Sequence, residues 1–219
     1  MKEPYFTPES IYKNSKDMLE KIQRFVGRGS RVFKPRDSAL IVIDMQRYFL
    51  EPEFHAYIPA ARAIVPGIKR LVDLFASCGR PVFFTQHGNT QEDAAMLGEW
   101  WSDILRKGEK ESEIIQELDT SKGVVVEKCQ YDAFYKTALQ EHLKKEGVKQ
   151  VVVCGVMTHL CCETTARSAF VRGFEVFFPI NGNATACQEF HFSTLLNLAH
   201  GFASLVLVED LCKAVEEER

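Results

Sequence analysis

Short runs of Val, Ile, Leu and Phe alternate along the chain with longer stretches in which apolar residues recur every three or four positions. The short runs predict β-strands over residues 39–44, 81–86, 124–128, 151–156, 175–180 and 205–208. Each is close to continuous in apolar residues, the pattern of a strand covered on both faces by helices. Ile64, Ile68, Leu71, Val72 and Phe75 keep one apolar face over 60–78, and Phe134, Ala138, Leu139 and Leu143 do so over 132–146. Gly79 and Gly147 follow as helix C-terminal caps. Strands separated by helices predict a three-layer α/β/α sandwich around a doubly wound, six-stranded, mainly parallel sheet. The domain is expected over 37–213, after an N-terminal helical arm (1–36) and before a charged C-terminal tail (214–219).

With 46% hydrophobic and 26% charged residues among 219, the chain is globular rather than disordered or fibrous. A single core of this size folds without metal or disulfide staples. Twenty-seven Lys and Arg against 30 Asp and Glu leave a formal charge of -3, which argues against a nucleic-acid partner. The arm is locally basic, but its interspersed acids and helical period fit a solvated segment. Neither a leader-like apolar stretch nor a membrane-length apolar run occurs, so no membrane association is expected and a cytoplasmic location is. Seven cysteines, an odd number without a C-x-x-C pair, fit reduced thiols.

Open parallel sheets bind ligands beyond the carboxyl ends of their strands. The polar residues at those ends are Asp44, His87, Lys128, the segment 158–162 and Asn181. A carboxylate beside apolar surface suits proton transfer, although Asp44 could equally cap a helix or loop. Lys128 ends a Val-rich strand, and taken alone it reads as a snorkelling surface lysine. Cys161 follows Gly155-Val-Met-Thr-His-Leu at the entry to a helix. There the helix dipole and a nearby lysine would lower a thiol pKa, although inert burial is the commoner fate of cysteine.

Three motifs in order carry a more specific signal: Ile-Asp44-Met-Gln-x-x-Phe, Lys128-x-x-Tyr-Asp-Ala-Phe, and Gly155-Val-Met-Thr-x-x-Cys161-Cys-x-x-Thr-Ala-Arg. Together they resemble the isochorismatase-like cysteine hydrolase superfamily, which includes nicotinamidases and N-carbamoylsarcosine amidases. The resemblance implies a Rossmann-like fold and an Asp44-Lys128-Cys161 triad. It also implies a cis peptide between Val156 and Met157, and an oxyanion hole from the backbone N–H groups of Met157 and Cys161. Phe49, His87, Trp100, Trp101, Tyr131, Phe134 and Thr158 are the candidate substrate-binding residues. The partners implied are a small-molecule substrate and further copies of the chain in a homo-oligomer, dimer or tetramer.

Departures from the family pattern narrow the chemistry. Metal-binding nicotinamidases carry Asp-x-His after the second strand, whereas this chain has Thr85-Gln86-His87. No metal or cofactor is therefore expected, and nicotinamidase activity is disfavoured. The segment Asp44-Met-Gln-Arg-Tyr-Phe and the Trp100-Trp101 pair resemble true isochorismatases, which typically have glycine where Cys161 stands. The leading expectation is a metal-independent cysteine hydrolase cleaving a small amide or ureido C–N bond through a thioester. The alternatives are a vinyl-ether hydrolase releasing pyruvate, and a noncatalytic ligand-binding or thiol-sensing protein.

Overall fold

The computed structural model describes residues 2–27, 29, 31–101 and 103–218. Its strands are β1 (Ser38–Ile43), β2 (Val82–His87), β3 (Val124–Lys128), β4 (Gln150–Val156), β5 (Glu175–Pro179), β6 (Asn183–Ala184) and β7 (Ala203–Val206). All pairings are parallel in the order β3-β2-β1-β4-β5-β7, with β6 beside the end of β4. Among the described residues the sheet therefore has seven strands rather than six, the addition being a two-residue strand paired with Gly155 and Val156.

The helices are α1 (Ile11–Ile22), α2 (Arg47–Leu50), α3 (Ala61–Ser77), α4 (Met96–Trp100), α5 (Leu139–Lys145), α6 (Glu163–Val171), α7 (Gln188–Gly201) and α8 (Val208–Glu217). Helix α3 buries the expected Ile64, Ile68, Leu71, Val72 and Phe75, and packs against α8 and the central strands. With right-handed crossovers, α3 and α8 cover one face of the sheet and α5, α6 and α7 the other. Central strands β1 and β4 are buried along their whole length. Strand β3 lies at the sheet edge, which leaves Val124 and Val125 exposed despite their apolar run.

Three expectations change. The helix expected over 132–146 begins only at Leu139. Before it, the Asp132 carboxylate accepts from the Phe134 N–H at 2.8 Å, and Lys136 takes φ +53, so side-chain bonding replaces the helical ladder. The arm is not solvated, because Tyr5, Phe6, Met18 and Ile22 are buried in the main core. Arg28, one of its basic residues, lies outside the described residues. Residues 214–217 of the expected tail are the last turn of α8, with Val215 buried, and Glu218 pairs with Arg36 at 2.8 Å; Arg219 lies outside the described residues. No helix among the described residues is long and apolar enough to cross a membrane.

Candidate active site

Strand order reverses between β1 and β4, and the three candidate triad residues meet beyond the carboxyl ends at this switch point. Asp44 leaves β1 with φ +47, a left-handed conformation uncommon for a residue with a side chain. It is held there by β2: the Thr85 hydroxyl donates to Asp44 Oδ1 at 2.6 Å, and the Asp44 N–H donates to Thr85 Oγ1 at 3.0 Å. On the other side, a Cβ added to Gly155 would collide with the Ile43 carbonyl. Only glycine lets β4 approach the end of β1 so closely, and its φ of +126 also favours that residue.

Lys128 closes β3 with a fully buried side chain. Its ammonium lies 2.8 Å from Asp44 Oδ2 and donates to the Gln130 carbonyl at 2.9 Å and to Cys161 Sγ at 3.4 Å. All three of its N–H groups are thus occupied. Burial opposes charge on this lysine, but the Asp44 carboxylate and the Cys161 sulfur outweigh it and hold its pKa above the ordinary value. Apart from the ion pair, Asp44 Oδ2 has no hydrogen-bond partner among the described residues, so it is the oxygen open to a proton.

After β4 comes a cis peptide between Val156 and Met157, then a π-helical turn (Thr158–Cys162) that runs into α6. π-Turns of this kind are frequent at functional sites. Cys161 sits inside the turn, and desolvation pushes its thiol up to about 12 even though Lys128 pulls the other way. The lowering expected from the helix start and the lysine is therefore overturned: burial is the larger effect, and Asp44 adds to it. Cys161 is thus a thiol beside an ammonium–carboxylate pair.

A cavity of about 210 Å³ opens above Cys161. Phe49, Trp101, Tyr131 and Met157 line it as apolar walls, with His87 and Asn89 as polar points. The Trp101 indole N–H donates to the Tyr131 hydroxyl at 2.8 Å, fixing both rings. His87 is 9% exposed and held neutral, its pKa lowered to about 4 by burial and by Lys128. Its backbone is clamped by Gln46, which accepts from the His87 N–H at 2.9 Å and donates to the His87 carbonyl at 2.7 Å.

Three candidates stand elsewhere. Trp100 is 76% exposed and outside the cavity, because the short helix α4 turns the two adjacent tryptophans different ways. Phe134 stacks on Phe174 within the core at 6.2 Å. Thr158 is buried against His191, with Oγ1 3.0 Å from Nδ1. Reasoning from sequence missed Thr85 as the support of Asp44, and also Leu105 on the cavity wall. Neither carries a spacing signal, since each reaches the site only through the fold.

Of the donors a family-type metal would need, the carboxylate after β2 is missing and Asp93 is engaged elsewhere, while His87 Nδ1 has no hydrogen-bond partner among the described residues. Thr85 stands where the carboxylate ligand would be, and its hydroxyl is used by Asp44. Asp93 Oδ1 accepts from Asn89 Nδ2 at 3.1 Å and from the Thr90 N–H at 2.8 Å. Among the described residues, no group of three or more His, Cys, Asp or Glu is placed to hold a metal ion. His87 alone cannot form a stable first shell, so these residues do not fit the group.

Residues 38–210 match the isochorismatase domain model, and the chain belongs to that family. Nicotinamidase 3 of Arabidopsis thaliana is 46% identical over 81% of this chain and 88% of its own length. Enterobactin synthase component B of Escherichia coli K12 is 30% identical over 83% of this chain and 65% of its own. Among solved structures, a cysteine hydrolase from Pseudomonas syringae pv. phaseolicola superposes with a TM-score of 0.83 at 25% identity, covering 87% of this chain and 98% of that one. The chain is an isochorismatase-family hydrolase.

Proposed function

We propose that this hydrolase cleaves the C–N bond of a small amide or ureido substrate through a thioester on Cys161, without a metal. One observation carries the reading: a single buried ammonium, Lys128 Nζ, lies 2.8 Å from the Asp44 carboxylate and 3.4 Å from the Cys161 sulfur, at the base of a ligand-sized cavity.

Because burial keeps the thiol protonated, its proton leaves as the new bond forms. The proton passes to Asp44 Oδ2, the sulfur attacks the carbonyl carbon, and the C=O electron pair moves onto oxygen. The backbone N–H groups of Met157 and Cys161 meet that oxyanion, and such donors are each worth about 3–4 kcal/mol when well aimed. Collapse expels the amine, which takes the proton from Asp44 and leaves a thioester. Water then gives a proton to the same carboxylate and attacks the thioester. The acid departs, and the sulfur recovers its proton. Lys128 stays charged throughout and balances the carboxylate.

The name of the Arabidopsis relative supports nicotinamide as the first compound to test, against the expectation drawn from the missing metal carboxylate. The test is ammonia release from a panel of small amides and ureido acids, with intact-mass detection of the thioester. A folded Cys161→Ala protein that keeps full turnover would sink the reading, as would loss of activity to a chelator.

The relatives in enterobactin synthesis and the Bacillus subtilis isochorismatase support a second reading, vinyl-ether cleavage by acid catalysis from Asp44. That chemistry needs no thiol. It predicts pyruvate release from isochorismate that survives Cys161→Gly.

A further inference from the structure

The N-terminal arm precedes the matched family segment, yet its first residues are seated on the stretch that follows β6 and opens α7. The Glu3 N–H donates to the Ala186 carbonyl at 2.9 Å, and the Glu3 carboxylate accepts from the N–H of Gln188, the first residue of α7, at 2.6 Å. The Tyr5 hydroxyl accepts from the Thr185 N–H at 2.9 Å, and the Tyr5 and Phe6 rings close over His191 at 5.4 and 5.3 Å. Tyr5 is itself buried, with its carbonyl accepting from Asn14 Nδ2 at 2.9 Å.

The two residues that meet Tyr5 also hold the turn that carries Cys161. Besides its thiols, that turn has two polar side chains, Thr158 and His159. Thr185 Oγ1 lies 2.6 Å from His159 Nδ1, so Thr185 binds the arm with its backbone and the turn with its hydroxyl. Beneath the arm rings, His191 Nδ1 lies 3.0 Å from Thr158 Oγ1. Thr158, Thr185 and His191 are all at 0% exposure, so water does not replace a partner that is lost. Neither Thr158 nor His159 lines the cavity, which means that they act on where the turn sits rather than on a ligand.

We propose that Tyr5 is a positioning residue for the reaction: through Thr185 and His159 it fixes the turn that presents the Cys161 sulfur to the cavity. Misplacing a reacting atom by about 1 Å costs on the order of a hundredfold in rate, so a bond made two steps away from the thiol is felt in kcat. The inference rests on the amidohydrolase reading for the reaction measured, whereas the placement of Cys161 is tested separately.

Tyr5→Phe keeps the ring over His191 and removes only the hydroxyl. With nicotinamide as substrate it is expected to lower kcat about tenfold with KM unchanged, and to speed alkylation of Cys161 by iodoacetamide at pH 9 about threefold as the turn loosens. Thr185→Val cuts the path at its next step, so adding Tyr5→Phe to it should cost nothing further, and Thr185→Ser, which keeps the hydroxyl, should retain kcat. Met18→Ala removes a buried arm side chain outside this path, and should lower the urea midpoint while leaving kcat within about twofold. An unchanged kcat or alkylation rate in Tyr5→Phe, a loss that appears in KM instead, the same kcat loss in Met18→Ala, or losses that add in the double variant overturns the role of Tyr5. If nicotinamide is not hydrolysed, alkylation alone decides: faster labelling of Tyr5→Phe supports the role, and an equal or slower rate overturns it. The amidohydrolase reading fails separately, when no compound of the amide and ureido panel releases ammonia.

Discussion

The Thr85 hydroxyl donates to Asp44 Oδ1 at 2.6 Å, so a side chain with no reactivity of its own decides which carboxylate oxygen faces the lysine and the thiol. Removing it leaves Asp44 free to rotate without touching the substrate cavity. Thr85→Val is expected to lower kcat by about ten- to a hundredfold, with KM little changed. Thr85→Ser, which keeps the hydroxyl, should restore most of the loss. A Val variant whose KM rises while kcat holds would show that Thr85 acts on binding instead.

The same site stores a stability cost. Asp44 and Lys128 form an ion pair with both side chains at 0% exposure. Removing one partner strands the other charge, so Asp44→Asn and Lys128→Met are each expected to destabilise the fold by about 3–5 kcal/mol. The double variant should recover a large part of that loss, because no buried charge is left over. Urea unfolding of the three proteins measures the coupling, and strictly additive losses would refute it.

Electrostatics around Cys161 give an expectation that runs against the usual reading of a nucleophilic cysteine. Burial and the Asp44 carboxylate raise the thiol to about 12 against the pull of Lys128. Alkylation of Cys161 by iodoacetamide should therefore be slow at pH 7 and still rising with pH beyond 9. Asp44→Asn removes the carboxylate and should speed alkylation while abolishing turnover. Peptide mapping separates Cys161 from the six other free cysteines. Faster labelling of the unmodified protein than of Asp44→Asn would contradict the assigned balance of charges.

Much of this site is legible in the amino-acid sequence, for a physical reason. Central strands need continuous apolar runs, so β1 and β4 announce themselves and place Asp44 and the Cys161 turn at their carboxyl ends. Lys128 is readable only through the family motif, since a lysine after an edge strand is ordinary. What escapes depends on contacts between distant segments. Thr85 reads as an unremarkable strand residue, yet it pairs with Asp44 across the sheet. The arm has the charge pattern of a solvated helix, while four of its apolar side chains, Tyr5, Phe6, Met18 and Ile22, are in the core. Trp100 and Trp101 are adjacent, and only the turn of α4 tells which one faces the cavity.

His191 links the arm to the response of the fold to acid. Its ring lies beneath Tyr5 and Phe6, Nδ1 is 3.0 Å from Thr158 Oγ1, and burial lowers its pKa to about 3. In the unfolded chain a histidine takes up its proton near pH 6.5. Above that pH neither state is protonated and the contribution of the neutral ring is fully present. Between about 6.5 and about 3 the unfolded chain binds a proton that the native state refuses, so stability falls as pH falls. The loss is about 1.4 kcal/mol per pH unit for this one group, and His87 adds a similar slope down to its own value of about 4. His191→Gln, which keeps a polar group near Thr158 but cannot titrate, is expected to make the pH dependence of urea unfolding shallower by about one proton between pH 6 and 5. The acid-sensitive step should include the arm, because Tyr5 and Phe6 form the roof of this ring. An unchanged slope in the Gln variant would mean that His191 is already protonated in the native state.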